Sequence, residues 1–440
     1  MTAEATRSGY PWTSLRHRNL VVKHFGVSGF RILVSLSPMS APAPSRPRVN
    51  VRRPDVMELV SAQVAVHYRS SLVEKIKDMG GKITRGDTTL LLAKDFGFCY
   101  GVERAIDLAY ASRKVFPENR IFLIGEIIHN QEVNRQLREM DIVSLPWKEI
   151  DATYDELGPE DVVIVPAFGA PTHFMAKLDE RGCYTVDTTC GDVMKVWRRV
   201  RGYAKEGVTS IIHGKAGHEE TRATASRAAG EDGQGHYLVI LTIADADYIG
   251  DFIRHGGDKA AFLERFKGGC EQGFDPDVHL RKIGLANQTT MLKGETLEIQ
   301  KRLAAAMKDR DGSEENFHVF DTICGATQER QDALFEMLKT KMDLLLVVGG
   351  YNSSNTAHLV EIGEKELPTF FIRDAGQIRS LEEIVHYDLH HHEERTANYA
   401  DVFSGKEHVT IGLTAGASCP NNLIEATVRK VFELRGSPLD

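Results

Sequence analysis

The sequence lacks the features that are typical of disulfide-rich, membrane-spanning or nucleic-acid-binding proteins. Its six cysteines are widely spaced and include no Cys-x-x-Cys pair, which argues against a disulfide framework or a zinc knuckle and for a reducing compartment. No apolar run can cross a bilayer, because the best one, residues 20–38, is interrupted by Lys23 and Arg31. The net charge of −8 disfavours nucleic acid as a partner. We therefore expect a cytoplasmic protein that binds neither nucleic acid nor membrane.

The first 54 residues differ from the rest of the chain. Residues 1–53 carry nine Lys and Arg against one acidic residue, Glu4, and residues 37–47 are rich in Pro and Ser. This composition predicts a basic, disordered leader. Two alternatives stay open: an organelle transit segment, which would move the location to the plastid stroma, and an upstream start codon with Met39 or Met57 as the working one.

Continuous apolar runs alternate with helical patterns along the chain, which predicts an α/β fold with mainly parallel sheets covered on both faces. The expected architecture is three pseudo-threefold-related α/β lobes. We place an N-terminal helical and strand segment at 55–98, packing on the core, and the lobes at 99–188, 189–321 and 322–440, with the C-terminal segment returning to the ligand site. Polar clusters follow the strand ends, where open α/β sheets bind ligands.

Three cysteines share one arrangement. Cys99, Cys190 and Cys324 each follow a strand-like run and precede a helical pattern. Free backbone N–H groups and the helix dipole at such a point favour a thiolate. Three inward-facing α/β units would bring the three thiolates to one point. They could hold a [4Fe–4S] cluster with one open iron, hold a zinc ion, or be inert core residues, and the residues alone do not decide among these.

A second set of residues suits anions and proton transfer. Asn352-Ser353-Ser354-Asn355 and Thr414–Ser418 each follow a strand and open a helix, where hydroxyl and N–H groups can bind phosphate oxygens; an ordinary helix cap is the simpler alternative for each. No Walker A or Gly-x-Gly-x-x-Gly element is present, so a diphosphate is favoured over a nucleotide. Glu220, near a histidine and Thr289, could relay protons.

Taken together in chain order, these motifs resemble one known family. The matching stretches are 97–105, His129-Asn130, Asp187–Cys190, Ala216–Thr221, Gln288–Thr290, Ile323–Thr327, Asn352–Asn355 and Thr414–Ser418. From about residue 57 to its end, the chain resembles the LytB-type 4-hydroxy-3-methylbut-2-enyl diphosphate reductases. Residues 166–170 and 213–215 are similar to the plant and cyanobacterial branch.

The resemblance implies the roles of individual residues. Cys99, Cys190 and Cys324 would hold a [4Fe–4S] cluster with one open iron at the centre of the lobes. The expected diphosphate ligands, with Ser354 adjacent to them, are His129, His218, Ser353, Asn355 and Ser418. Glu220 would donate protons, aided by His218, and Thr289 would bridge to the substrate hydroxyl, with Asn355 helping to orient it. Many bacterial members have a histidine where this chain has Phe168, so Phe168 inherits no role.

The expected reaction is reductive removal of an allylic hydroxyl, giving isopentenyl and dimethylallyl diphosphate, with ferredoxin or flavodoxin as electron donor. Two other hypotheses stay open. One is a different three-cysteine iron–sulfur enzyme, similar to quinolinate synthase. The other is a zinc-stabilised protein that binds a phosphorylated ligand without catalysis.

Overall fold

The computed structural model describes residues 49–147, 154–230, 233–320 and 322–439. Residues 1–48, most of the predicted leader, lie outside the described residues. Within the described part of the chain, no helix is both long enough and apolar enough to cross a membrane.

The secondary structure alternates between strands and helices. The strands are β1 (Lys82–Arg85), β2 (Thr88–Leu92), β3 (Ile121–Ile124), β4 (Ile142–Leu145), β5 (Val162–Val165), β6 (Tyr184–Asp187), β7 (Thr209–His213), β8 (Tyr237–Ile240), β9 (Ile283–Asn287), β10 (Phe317–Val319), β11 (Leu344–Val348), β12 (Thr369–Ile372), β13 (Glu383–Asp388), β14 (Glu393–Asn398) and β15 (Val409–Ala415). The helices are α1 (Pro54–Tyr68), α2 (Ser71–Asp78), α3 (Tyr100–Val115), α4 (Gln131–Glu139), α5 (Thr172–Arg181), α6 (Gly191–Lys205), α7 (Glu219–Ala228), α8 (Ile243–His255), α9 (Lys259–Arg265), α10 (Pro276–His279), α11 (Lys293–Asp311), α12 (Gly325–Leu338), α13 (Ser354–Gly363), α14 (Ala400–Phe403) and α15 (Asn421–Leu434).

The strands form three larger sheets. The first has the order β4-β3-β5-β6 and the second β10-β9-β7-β8, and both are parallel throughout. The third has the order β1-β2-β15-β11-β12, parallel except for the β1–β2 hairpin. Strands β13 and β14 form a separate antiparallel hairpin. The predicted fold class, α/β with mainly parallel sheets, is confirmed.

Burial explains why the central strands are apolar without alternation. Every residue of β5 and of β11 is buried, since helices cover both faces of their sheets. Separate apolar clusters lie around the sheets: one joins α3 to the first sheet, a second joins α8 and α11 to the second, and a third joins α12 and α15 to the third.

The N-terminal segment 55–98 is divided between two sheets. Val56 and Val60 of α1 pack with α3 in the core of the first sheet. Strand β2, by contrast, pairs with β15 and so belongs to the third sheet, and Val73 and Ile76 of α2 pack in that core. Strands β2 and β15, from opposite ends of the described chain, are therefore neighbours. The local sequence pattern of residues 55–98 does not predict this long-range pairing. The domain boundaries themselves stay a prediction.

Candidate active site

Each of the three cysteines lies where the chain passes from one sheet to the next. Cys99 leads from β2 of the third sheet into α3, which packs on the first sheet. Cys190 leads from β6 of the first sheet into α6, which packs with the second sheet. Cys324 follows β10 of the second sheet and leads into α12, which packs on the third. Because these passages form a closed cycle, the three helix starts face a common centre.

The three side chains line one cavity of about 120 Å³. All three are free thiols. Gly101 leaves room beside them, because a Cβ there would lie 2.6 Å from Sγ of Cys190 and 3.8 Å from Sγ of Cys99. The sequence prediction that these cysteines converge agrees with this geometry, and their role as metal ligands stays a prediction.

Burial opposes the predicted stabilisation of the thiolates. Each cysteine is the N-cap of its helix, as expected. Nevertheless burial raises the pKa of Cys190, and it raises the pKa of Cys324 to about 12 although Thr327 donates to that sulfur from its backbone N–H at 3.3 Å. At Cys190 and Cys324, desolvation therefore outweighs the stabilisation of a thiolate by the helix start.

Glu220 is a buried carboxyl with one strong partner. Its Oε1 accepts from the backbone N–H of Thr289 at 2.6 Å, and its Oε2 accepts from the Thr289 hydroxyl at 3.0 Å. Burial raises the pKa of Glu220 to about 7, against the lowering effect of these two hydrogen bonds. The carbonyl of Thr289 accepts from the Cys324 N–H at 3.2 Å, which links the carboxyl to the cysteine cluster. A carboxyl with this pKa can both hold and release a proton near neutrality.

His218 is the N-cap of α7 and is fixed in one tautomer. Its Nδ1 accepts from the backbone N–H of Glu220 at 3.2 Å, so a neutral ring carries its proton on Nε2. Burial, with a contribution from the neighbouring His129, lowers the pKa of His218 to about 3. The imidazole is therefore a neutral hydrogen-bond donor.

His129 stands between two carboxylates and an aromatic ring. Its Nδ1 lies 3.0 Å from Oε2 of Glu126, and its Nε2 lies 3.6 Å from Oε2 of Glu219. Phe168 stacks on the imidazole with the ring centroids 4.9 Å apart and the planes 14° from parallel. Phe168 thus holds the ring of a predicted ligand by packing. Phe168 occupies the position where many bacterial members of the family have a histidine, and here its role is to pack against His129.

The hydroxyl and amide groups form another part of the cavity wall. Ser418 donates to the hydroxyl of Ser353 at 3.3 Å, and Asn355 accepts from the backbone N–H of Ala417 at 2.8 Å. Ser354 accepts from the side-chain amide of Gln288 at 3.2 Å. All of the predicted site residues line the one cavity: Cys99, His129, Cys190, His218, Glu220, Thr289, Cys324, Ser353, Ser354, Asn355 and Ser418.

Comparisons with known proteins agree on one family. Residues 90–432 match the LytB protein family. The chain belongs to this family. A relative from Thermosynechococcus vestitus, named 4-hydroxy-3-methylbut-2-enyl diphosphate reductase, is 46% identical over 382 residues, which is 86% of this chain and 92% of the relative. A relative from Nostoc sp. with the same name is 44% identical over the same shares of both chains. The resemblance seen in the sequence is confirmed.

A solved structure supports the LytB fold independently. The structure of the E-1-hydroxy-2-methyl-but-2-enyl-4-diphosphate reductase from Plasmodium falciparum matches with a TM-score of 0.58 and 21% identity. The match covers 78% of this chain and 87% of that one. At this identity the likeness concerns the fold alone.

Sequence reasoning did not single out some residues of this LytB site. Gln288 connects Ser354, Thr221 and the backbone of Lys215, so it joins the second and third sheets at the cavity wall. Glu219 lies beside His129, and Thr327 contacts the sulfur of Cys324. Gln288 and Glu219 are sequence neighbours of predicted residues, and Thr327 lies one turn after Cys324. All three lie within the stretches that resemble the family, which was the signal that could have identified them.

Proposed function

We propose that the chain is a 4-hydroxy-3-methylbut-2-enyl diphosphate reductase, which converts its substrate to isopentenyl and dimethylallyl diphosphate. The reaction breaks the allylic C–O bond, uses two electrons and two protons, and releases the oxygen as water. The observation that carries the proposal is the convergence of three free thiols, a buried carboxyl and a hydroxyl wall on one cavity. The curated relatives of the same family carry this name.

The donor set fits an iron–sulfur cluster. Three soft sulfur ligands surround the cavity, and Gly101 leaves room beside two of them. Cys99, Cys190 and Cys324 would hold a [4Fe–4S] cluster. Such a cluster supplies electrons one at a time and, at its one iron without a protein ligand, a Lewis acid for the substrate oxygen.

Glu220 is the proposed proton donor to the leaving oxygen. Hydroxide is a poor leaving group, so the oxygen must be protonated as the C–O bond breaks. Near neutrality a large fraction of Glu220 carries the proton required, because burial raises its pKa to about 7. Thr289 donates to both carboxylate oxygens and so fixes the position of the carboxyl at the cavity, and its hydroxyl would bridge to the substrate hydroxyl.

The diphosphate would bind at the wall that carries the hydroxyl and amide groups. His129 and the neutral His218 offer ring N–H donors, and Ser353, Asn355 and Ser418 offer hydroxyl and amide donors around the start of α13. Binding energy at this end positions the allylic carbon without involving the reacting bond. We further propose ferredoxin or flavodoxin as electron donor, and the cytoplasm or the plastid stroma as compartment.

The Glu220→Gln variant tests the proposal. Glutamine keeps the shape and can still contact Thr289 but holds no transferable proton, so turnover of 4-hydroxy-3-methylbut-2-enyl diphosphate should fall by about 10²–10⁴-fold. Iron content and substrate affinity should be unchanged. The measurement is turnover under reducing, oxygen-free conditions. Unchanged turnover would remove Glu220 from the proton path, and no turnover by the unmodified, cluster-loaded chain would refute the function.

The Cys324→Ser variant tests the ligand set. A serine hydroxyl is a much poorer iron ligand than a thiolate, so anaerobically purified protein should lose its iron–sulfur absorption and most of its iron. Cys270→Ser is the matched control, because Cys270 pairs with Leu238 of the edge strand β8 and does not line the cavity. Normal iron content in Cys324→Ser would contradict the three-thiolate assignment. A colourless wild-type protein containing only zinc would favour the zinc-stabilised binding protein.

A further inference from the structure

A second, larger cavity lies behind the first. It has a volume of about 520 Å³ and is bordered by α5, α6 and the ends of β5 and β6. Trp197 lies in its wall, two turns along α6 from Cys190. Arg227 lies there too, two turns along α7 from Glu220. None of the residues assigned to the reaction lines this cavity.

Two buried donors at this cavity have no acceptor among the described residues. They are Nε1 of Trp197 and Nε of Arg227, on side chains that are each 6% exposed. The guanidinium of Arg227 lies 3.3 Å from the centre of the Trp197 ring, and its Nη1 donates to the carbonyls of Ala170 and Ala223. Buried donors normally find acceptors, so two orphans at one cavity indicate a ligand rich in acceptor atoms.

The charge at the cavity has the sign that such a ligand requires. Arg198 and Arg201 line it together with Arg227, so three cationic side chains face two carboxylates, those of Asp179 and Asp187. Burial and the charge of Arg201 together lower the pKa of Arg227 to about 9, although the carboxylate of Asp187 acts in the opposite direction. Of the two carboxylates at the cavity, Asp187 already accepts from Thr189.

The remaining wall is partly apolar, because methionines and a valine lie there beside the polar side chains of Thr172, Thr185 and Thr189. Val165, Met175 and Met194 face the same space as the arginines. We propose that this cavity is a second binding site, which takes a phosphate or diphosphate group carried on a short hydrocarbon. The arginines and the indole N–H bind the anionic group, and the methionines and Val165 contact the hydrocarbon. This inference does not depend on the proposed reaction, since it concerns binding alone.

A ligand in the second cavity would lie next to the loop 168–170, which also packs against the catalytic cavity. Gly169 packs directly against the Trp197 ring, and the carbonyl of Ala170 accepts from Arg227. Their neighbour Phe168 stacks on His129. The second site is therefore connected to the first through a loop of a few residues.

Calorimetric titration of the full, cluster-loaded chain with isopentenyl diphosphate tests the site. Wild-type protein should bind two equivalents of isopentenyl diphosphate. In the Arg198→Gln/Arg201→Gln double variant, the affinity of one of the two sites should fall about tenfold or more. Both side chains are on the helix surface, so folding should be retained, as thermal unfolding checks. Arg199→Gln is the matched control, because Arg199 lies on the same helix but stacks on Phe320 at 4.2 Å, outside the cavity.

A second variant and a second probe decide what the site recognises. Ala176→Glu places a carboxylate at an exposed position of the cavity rim and should weaken the same class of site. Inorganic diphosphate should bind there more weakly than isopentenyl diphosphate. Equal affinity for the two probes would refute the hydrocarbon contact, and unchanged isotherms in both variants would overturn the proposal. A single class of site in wild type that both variants weaken would support the second site and count against diphosphate binding in the catalytic cavity.

Discussion

At the scale of single residues, Glu220 is defined by its surroundings. Its carboxyl is buried, which raises its pKa, and it touches Thr289 through both oxygens, which moderates the rise. The sequence predicted the residue and its proximity to Thr289 from motif position alone. It could not predict the pKa, because desolvation depends on how the second and third sheets close over α7. The tautomer of His218, by contrast, is set locally, by the hydrogen bond that its Nδ1 accepts from the Glu220 N–H.

The Thr289→Val variant should shift the pH dependence of turnover. In wild type, Glu220 holds its proton below about pH 7 and loses it above, so turnover should decline as the pH rises through that value. In wild type, the Thr289 hydroxyl donates to Oε2 of Glu220 at 3.0 Å, and this hydrogen bond stabilises the charged carboxylate. Valine has no hydroxyl, so the variant loses this stabilisation. The pKa of Glu220 should then rise by about one unit, and the declining limb should move to higher pH even if kcat falls.

Profiles of kcat against pH measure this shift. Thr290→Val serves as the control, because the Thr290 hydroxyl accepts from Gln288 and does not contact Glu220. A limb that stays in place or moves to lower pH in Thr289→Val would contradict the assignment of the titrating group.

At the scale of elements, the decisive feature is the helix that begins directly after each cysteine. The strand–cysteine–helix pattern is local, so the sequence contained it, and all three helices begin within one residue of their cysteine. What the sequence did not contain is which sheet each helix packs against. The pairing of β2 with β15 is set by burial of Leu90 and Leu413 in a shared core, and nothing local signals it.

The Gly101→Ala variant should impair cluster binding. A Cβ at this position would lie 2.6 Å from Sγ of Cys190, so the thiol or helix α3 must shift by several tenths of an ångström. Iron and sulfide per chain after anaerobic reconstitution should fall well below the wild-type values. Gly191→Ala and Gly325→Ala are matched controls at the first residue of α6 and α12, because a Cβ there meets nothing within 4 Å. Equal iron in all three variants would refute this steric argument.

At the scale of the whole molecule, arginines connect each cysteine helix to the loop of another cysteine. Arg104 of α3 donates to the carbonyls of Thr188 and Thr189, just before Cys190. Arg330 of α12 donates to the carbonyls of Gly97 and Phe98, just before Cys99. Arg199 of α6 stacks on Phe320, before Cys324. The cycle of sheets is thus repeated as a cycle of side-chain contacts around the cavity.

The Arg330→Met variant should loosen this cycle. Arg330 is 5% exposed, and methionine fills a similar volume without donating to the two carbonyls, which are then left buried and unpaired. Because the contact holds the Cys99 loop, we expect the free energy of unfolding to fall by about 2–4 kcal/mol and iron to be lost faster to a chelator. Thermal unfolding and the rate of iron release under anaerobic conditions measure the two effects. Arg199→Met, which removes a contact between partly exposed groups, should cost about 1 kcal/mol or less. If Arg330→Met lowered stability without speeding iron release, the arginine would support the fold but not the geometry of the cysteines.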